Sequence, residues 1–280
     1  MGTEQLYTMN TVHKVILAGA GPGDPDLITV RAAAALRDAD IILTDRLANR
    51  EIILRHASPH AEVIEVGKQA GKGGSMPQST INELLVSCSA RAGLVVRLKG
   101  GDVSIFSNIM DELETLRAHG IAYEIIPGIT AASGAAAYAG IPLTARDHAR
   151  GVRLLSFHEL ESVEANTWKE LANTSDTLVL YMASRNLGEL CARLLSAGAD
   201  GDRPLALVEQ ATTPVQKVYR STVAAAAEHG ASSFLSPSLV IIGSVVDLHE
   251  KFQWYRNIDA RISFFDQLPS HAKNEHAGRR

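Results

Sequence analysis

The sequence predicts an α/β protein of two domains, and three observations carry that expectation. Short runs rich in Val, Ile and Leu alternate with segments of helical period along the chain. The length of 280 residues corresponds to roughly two domains of about 150 residues each. Apolar residues make up 46 %, close to the globular average of about 45–50 %, so the chain can bury a proper core. Neither a disordered chain nor a disulfide-stapled miniprotein fits that composition.

In chain order, Lys14–Ala18, Asp40–Thr44, Glu62–Val66, Leu94–Leu98 and Tyr123–Ile126 read as strands of a first domain. Between them, Gln78–Arg91 places Ile81, Leu84, Leu85 and Cys88 on one helical face at spacings of three and four. Asn108–His119 repeats the pattern with Ile109, Leu113 and Leu116, and Gly120 stops it. Strands separated by helices need crossover connections, which predicts largely parallel sheets covered on both faces. The rhythm restarts around Gly128–Ser133, giving a first domain over 13–128 and a second over 129–250. The second set of strands is Val152–Ser156, Thr177–Tyr181, Leu205–Glu209, Gln216–Arg220 and Leu239–Gly243. Leu205–Glu209 and Gln216–Arg220 flank a Thr212-Thr213-Pro214 turn and predict a hairpin inside a mixed sheet. Residues 251–280 form a tail; the rhythm is lost from 256 on, and little core is expected there.

Lys and Arg number 27 against 31 Asp and Glu, a net charge of −4, which argues against a non-specific nucleic-acid binder. Cys88 and Cys191 lie far apart, and a reduced, cytoplasmic compartment is the simplest reading. Met1–Asn10 carries Glu4 and no apolar run, so no signal peptide is expected. Ile125–Ala145 lacks charge but contains Pro127, Pro142 and three glycines, and reads as strand, turn, buried helix and loop instead of a membrane span. No His, Cys or carboxylate spacing points to a metal, and no Gly-x-Ser-x-Gly elbow is present.

Three glycine-bearing segments carry the chemistry. Gly19-Ala20-Gly21-Pro22-Gly23-Asp24-Pro25 follows the first strand, where missing Cβ atoms let a ligand approach main chain. A dinucleotide fingerprint needs glycine where this chain has Asp24, and Pro22 and Pro25 remove two N–H donors that a pyrophosphate would use. Arg97-Leu98-Lys99-Gly100-Gly101-Asp102 ends the fourth strand, where ligands of open α/β sheets sit, and Asp102 suits a cationic ligand unless it caps the next helix. Ile126–Gly134 leads into an Ala-rich helix suited to close approach, to another backbone or to a flat ligand. From Val66 to Gly101 five cations, Lys68, Lys72, Arg91, Arg97 and Lys99, face one acid, Glu83. Arg146, Arg150 and Arg153 crowd a second stretch against Asp147, so a small polyanionic substrate is indicated.

Taken with Asp45-Arg46, Val66-Gly67-Lys68, Ala137–Thr144, Tyr181-Met182 and Val208–Pro214, these segments occur in one order over about residues 13–250. That set resembles the tetrapyrrole methylase family, most nearly the branch that acts on uroporphyrinogen III. The resemblance implies two α/β domains of the class III methyltransferase kind with the active-site cleft between them. It implies S-adenosyl-L-methionine as cofactor, S-adenosyl-L-homocysteine as its product, and usually a homodimer with no membrane or nucleic-acid partner. It further implies two successive methylations of uroporphyrinogen III to precorrin-2. By position, Pro22, Gly100, Gly101, Asp102, Ile105, Thr130, Ala131, Met182 and Ala211 fall at cofactor-binding places. Asp45 falls at the place of a proton acceptor and Lys68 at that of a proton donor. Arg46, Lys72, Arg97, Lys99, Arg146 and Arg150 are the candidates for holding substrate carboxylates. The chain departs from the family after Asp102, reading Val103-Ser104-Ile105-Phe106-Ser107-Asn108-Ile109, and has Ala145 and Phe157 where a histidine and a glycine are usual.

Overall fold

A computed structural model describes residues 14–67, 76–157, 159–229, 234–260 and 262–266. The first half runs β1 (Lys14–Gly19), α1 (Val30–Asp38), β2 (Ile41–Thr44), α2 (Arg50–His56), β3 (Glu62–Glu65), α3 (Gln78–Arg91), β4 (Leu94–Lys99), α4 (Ile109–Ala118) and β5 (Ala122–Ile126). Its strands form one parallel sheet in the order β3-β2-β4-β1-β5. Alternate side chains of each strand face opposite sides, and here both sides are apolar. Ile16, Ala18, Ile42, Val96 and Leu98 pack with Leu36 of α1 and Ile52 of α2. Val15, Leu17, Ile41, Leu43 and Val95 pack on the other side with Leu85 of α3 and Leu116 of α4. Thr29 caps α1 by accepting from the Ala32 N–H at 3.2 Å, and Asn49 caps α2 through the Glu51 N–H at 2.9 Å.

The second half runs α5 (Ala131–Ala139), β6 (Val152–Ser156), α6 (Ala165–Asn173), β7 (Thr177–Tyr181), α7 (Leu187–Ser196), β8 (Pro204–Glu209), β9 (Lys217–Thr222), α8 (Val223–His229), β10 (Ser238–Ile242) and α9 (His249–Phe252). Its sheet has the order β6-β7-β10-β8-β9, parallel between β6 and β7 and antiparallel at the other three pairings. The parallel expectation thus holds for the first sheet, and the second is the mixed sheet with a β8–β9 hairpin that the sequence predicts. The β8–β9 hairpin reverses the chain, α8 carries it across, and β10 enters between β7 and β8 running against both. Leu178, Leu180, Leu207, Val240 and Ile242 face α6 and α7, while Val179, Ala206, Val208, Leu239 and Ile241 face Ala132, Ala135 and Ala139 of α5.

The charge-free run from Ile125 resolves into the end of β5, a turn and the short helix α5. Among the described residues no helix is long and apolar enough to cross a membrane. Both cysteines are buried and unpaired with each other, and burial pushes the Cys191 thiol up to about 12. The segment after α9 is mostly exposed over residues 253–260, yet it bonds to the second half. Trp254 Nε1 donates to Ala137 O at 2.8 Å, and the Ile258 N–H donates to Pro214 O at 2.6 Å. Farther on, Phe265 is 3 % exposed.

Candidate active site

The loops leaving the carboxyl ends of β1 and β4 lie side by side and bond to each other. The Gly101 N–H donates to Gly21 O at 2.8 Å, and the Gly21 N–H donates back to Gly101 O at 3.1 Å. Both residues have positive φ, +78° at Gly21 and +68° at Gly101, a conformation that glycine adopts without strain. A Cβ on Gly128 would stand 2.3 Å from Gly101 O, and one on Gly100 would stand 2.8 Å from Leu47 Cβ. These two glycines serve packing between loops. Gly101 differs: a Cβ there would meet nothing nearer than Ala131 N at 3.8 Å, so its bare main chain faces open space.

That space is a cavity of about 290 Å³ between the two halves. The first half lines it with Gly21, Pro22, Arg46, Leu47, Gly100, Gly101, Asp102, Ile105 and Phe106, and the start of α5 adds its N-cap Thr130 and Ala131. From the second half come Tyr181, Met182, Ser184, Val208, Ala211 and the stretch Ser236–Leu239, with Phe265 from the docked C-terminal segment. All nine positions that the family resemblance implies for the cofactor border this single cavity.

Polar bonds fix its walls. Asp102 accepts from the Ser104 N–H at 2.8 Å and the Gly128 N–H at 2.7 Å, so its carboxylate braces two loops. The Thr130 and Tyr181 hydroxyls lie 2.7 Å apart, and the Ala132 N–H donates to Tyr181 OH at 3.0 Å. Phe106 leans on Tyr181 with ring centroids 4.8 Å apart. Backbone strain gathers here: Phe106 and Met182 hold φ of 51° and 57°, and Thr212, whose Oγ1 accepts from the Asp24 N–H at 2.9 Å, holds 67°. The first glycine loop is therefore committed to protein contacts. Its Gly21 and Asp24 donors are used, its prolines have none, and a Cβ on Gly23 would meet Ala211 O at 2.9 Å. A pyrophosphate would find almost no donors, which removes the dinucleotide reading.

Two expected substrate ligands need correction. Arg97 and Lys99 are buried at 1 % and 3 % exposure. With Val95 they share the β4 face that packs against α3 and α4, and there they meet Glu112 of α4. Arg97 Nε and Lys99 Nζ each lie 3.0 Å from Glu112 Oε1, while Arg97 Nη2 donates to Asp45 Oδ1 at 2.6 Å. Burial pulls the Arg97 pKa down, but the Asp45 and Glu112 carboxylates outweigh it and leave it raised. Burial lowers the Lys99 pKa, with Glu112 opposing the shift. Neither cation is available to a ligand in the cavity. Arg46 does line the cavity, beside the partly exposed Asp45, and Gly67 makes room for it, since a Cβ there would stand 2.5 Å from Arg46 N. Arg146 and Arg150 are exposed beyond α5 and do not border the cavity. Lys68 and Lys72 lie outside the described residues.

Tyr181, Phe106, Ser236–Leu239 and Phe265 had not been singled out as site residues from sequence. Tyr181 and Phe106 sit inside or beside recognised segments, whereas Phe265 follows no periodic pattern.

The profile described as Tetrapyrrole (Corrin/Porphyrin) Methylases matches residues 14–227. Among curated proteins, the siroheme synthase of Pseudomonas fluorescens is 44 % identical over 253 residues, which cover 89 % of this chain and 53 % of that protein. The siroheme synthase of Methylococcus capsulatus is 45 % identical over 245 residues, 87 % of this chain and 51 % of that protein. The chain thus spans about half the length of these relatives. Among solved structures, uroporphyrin-III C-methyltransferase of Thermus thermophilus in complex with S-adenosylhomocysteine matches with a TM-score of 0.71 and 32 % identity, covering 84 % of this chain and 99 % of that one. A cobalt precorrin-4 methyltransferase matches with a TM-score of 0.72 and 29 % identity, covering 86 % and 99 %.

Proposed function

The chain belongs to the tetrapyrrole methylase family, and on that premise we propose that it methylates two pyrrole carbons of uroporphyrinogen III in succession, using S-adenosyl-L-methionine and giving precorrin-2. The observation that carries this reading is the bare main chain of Gly101, which lines one cavity between the two halves together with Met182 and Ala211.

The residues present fit such a cofactor. The bound cofactor supplies an electrophilic methyl on a sulfonium, a cation without phosphate, which suits a site with few free N–H donors. Asp102, 8 % exposed and lining the cavity, contributes fixed negative charge on the side of Gly101. Methyl transfer is an in-line displacement, so the main task of the protein is alignment. The Gly21–Gly101 bridge, the Asp102 brace and the Thr130–Tyr181 bond hold the walls for that purpose. A pyrrole carbon is nucleophilic already and needs no activated serine or cysteine.

Attack leaves positive charge on the pyrrole ring, and a proton must then depart. Asp45 is assigned as the acceptor: it is partly exposed next to the cavity-lining Arg46 and is held from behind by Arg97 at 2.6 Å. Lys68 is assigned as proton donor on the family resemblance alone. Arg46 is assigned to pair with substrate carboxylates, and Arg146 and Arg150 are proposed as more distant attractors. The working form is proposed to be a cytoplasmic homodimer that takes neither nucleic acid nor a membrane as partner.

Anaerobic incubation with uroporphyrinogen III and isotopically labelled S-adenosylmethionine tests the proposal. Two labelled methyl groups on the product support it. Methylation of a later corrinoid, with uroporphyrinogen III left unchanged, would transfer the activity to a different tetrapyrrole.

A further inference from the structure

Past α9 the chain lies beyond the stretch matched by the family profile, which ends at residue 227, yet it returns to the cavity. Gln210, 1 % exposed and with φ of 47°, grips this segment with both ends of its amide. Gln210 Nε2 donates to Ile262 O at 2.9 Å, and Gln210 Oε1 accepts from the Phe264 N–H at 2.6 Å. That two-point clamp sits next to Ala211 at the cavity wall and delivers the next residue, Phe265, into the wall itself. Phe265 is 3 % exposed and borders the same cavity as Val208 and Leu239, apolar residues at the end of β8 and the start of β10.

We infer that Phe265 is a cofactor-binding residue of this chain, its ring forming the apolar wall against which the adenine of the cofactor packs. The inference rests on reading the cavity as the cofactor site. Two observations and one general principle favour the adenosine end over the sulfonium end. The wall carries no charged side chain, it is fully buried, and a flat heteroaromatic group gains by lying on an aromatic face. Asp102, by contrast, lies on the other half, beside Gly101. The clamp matters because a ring on an irregular segment contributes to affinity only if it is held before the ligand arrives.

Titration calorimetry of the full chain with S-adenosylhomocysteine and with 5′-methylthioadenosine tests this. Phe265→Ala should weaken both ligands by about tenfold, equal to ~1.4 kcal/mol and within the ~1–3 kcal/mol found for stacking of a base on an aromatic ring. Loss with the truncated nucleoside locates the contact at the adenosine end. Phe265→Leu keeps apolar burial but no ring; weaker binding there, with the ligand-free melting midpoint unchanged, separates the ring contact from local unfolding. The KM for S-adenosylmethionine should rise by a similar factor while the KM for the tetrapyrrole stays constant. Unchanged or tighter binding in Phe265→Ala would overturn the role of Phe265 and leave the cavity as the cofactor site. Failure of the unsubstituted chain to bind either ligand would overturn both.

Discussion

Arg97, buried in the middle of a parallel sheet, donates to the Asp45 carboxylate at 2.6 Å and is 3.0 Å from Glu112 on its other side. This links a partly exposed acid beside the cavity to a charge cluster in the core. Removing one member of such a cluster leaves a buried charge without compensation, which costs about 3–5 kcal/mol. Arg97→Ala should therefore lower the unfolding free energy by that order, read from a urea titration. A change below about 1 kcal/mol would mean that water reaches the cluster.

Asp45 can be separated from this structural role. Asp45→Asn keeps size and hydrogen bonding but cannot take a proton, so turnover should fall at least tenfold. Affinity for S-adenosylhomocysteine should stay within about twofold, because Asp45 does not border the cavity. Steady-state kinetics beside calorimetry reads both numbers, and unaltered turnover would remove Asp45 from proton transfer.

Glycine positions around the cavity should divide into two kinds. Gly101→Val places a β-branched residue at φ +68° with its side chain aimed into the cavity, at a backbone cost of about 1–3 kcal/mol. The variant should fold, by circular dichroism, yet lose cofactor binding. Gly128→Ala drives a Cβ to 2.3 Å from Gly101 O, a backbone clash that should destabilise the fold itself. Equal binding in Gly101→Val and the unsubstituted protein would move the cofactor away from this bend.

Among the described residues Arg46 is the basic side chain at the cavity wall, and it should act on the substrate in place of Arg97 and Lys99. Arg46→Ala should raise the tetrapyrrole KM severalfold and flatten its dependence on salt, with a smaller change in the cofactor KM. Identical salt curves would leave Arg46 without a role in substrate recognition.

Acid should act on the edge of the first sheet. Burial pushes the Glu124 carboxyl up, but hydrogen bonds from Lys14 and Arg31 more than offset it and hold the group below its ordinary value of 4.5. A carboxylate depressed on folding contributes stability above its unfolded value, and that contribution disappears as pH falls through the folded value. The melting midpoint should thus fall as pH drops below about 4.5, and Glu124→Gln should make that fall shallower. Parallel curves would remove this contact from the acid response.

Much of this was legible in sequence, because strand runs and helical faces are local patterns. Val152–Ser156, Thr177–Tyr181 and Gln78–Arg91 have the same bounds in the sequence reading and in the fold. Other features depend on what lies across space. Counting cations along Val66–Gly101 hides the alternation of β4, which turns Arg97 and Lys99 toward α4 and Glu112. Two cations in a central parallel strand were themselves a signal, since such a strand buries charge only when it is paired. The loop glycines looked alike in one dimension, and only the neighbours of the absent Cβ distinguish Gly101 from Gly100 and Gly128. Phe265 had no periodicity to betray it; its place depends on the long-range grip of Gln210.

A crystal structure with bound S-adenosylhomocysteine addresses the site most directly. Electron density for the ligand should run along the main chain of Gly101, with Met182 and Ala211 among its contacts. Density for the same molecule elsewhere on the chain, with the space beside Gly101 filled by solvent, would refute the assignment.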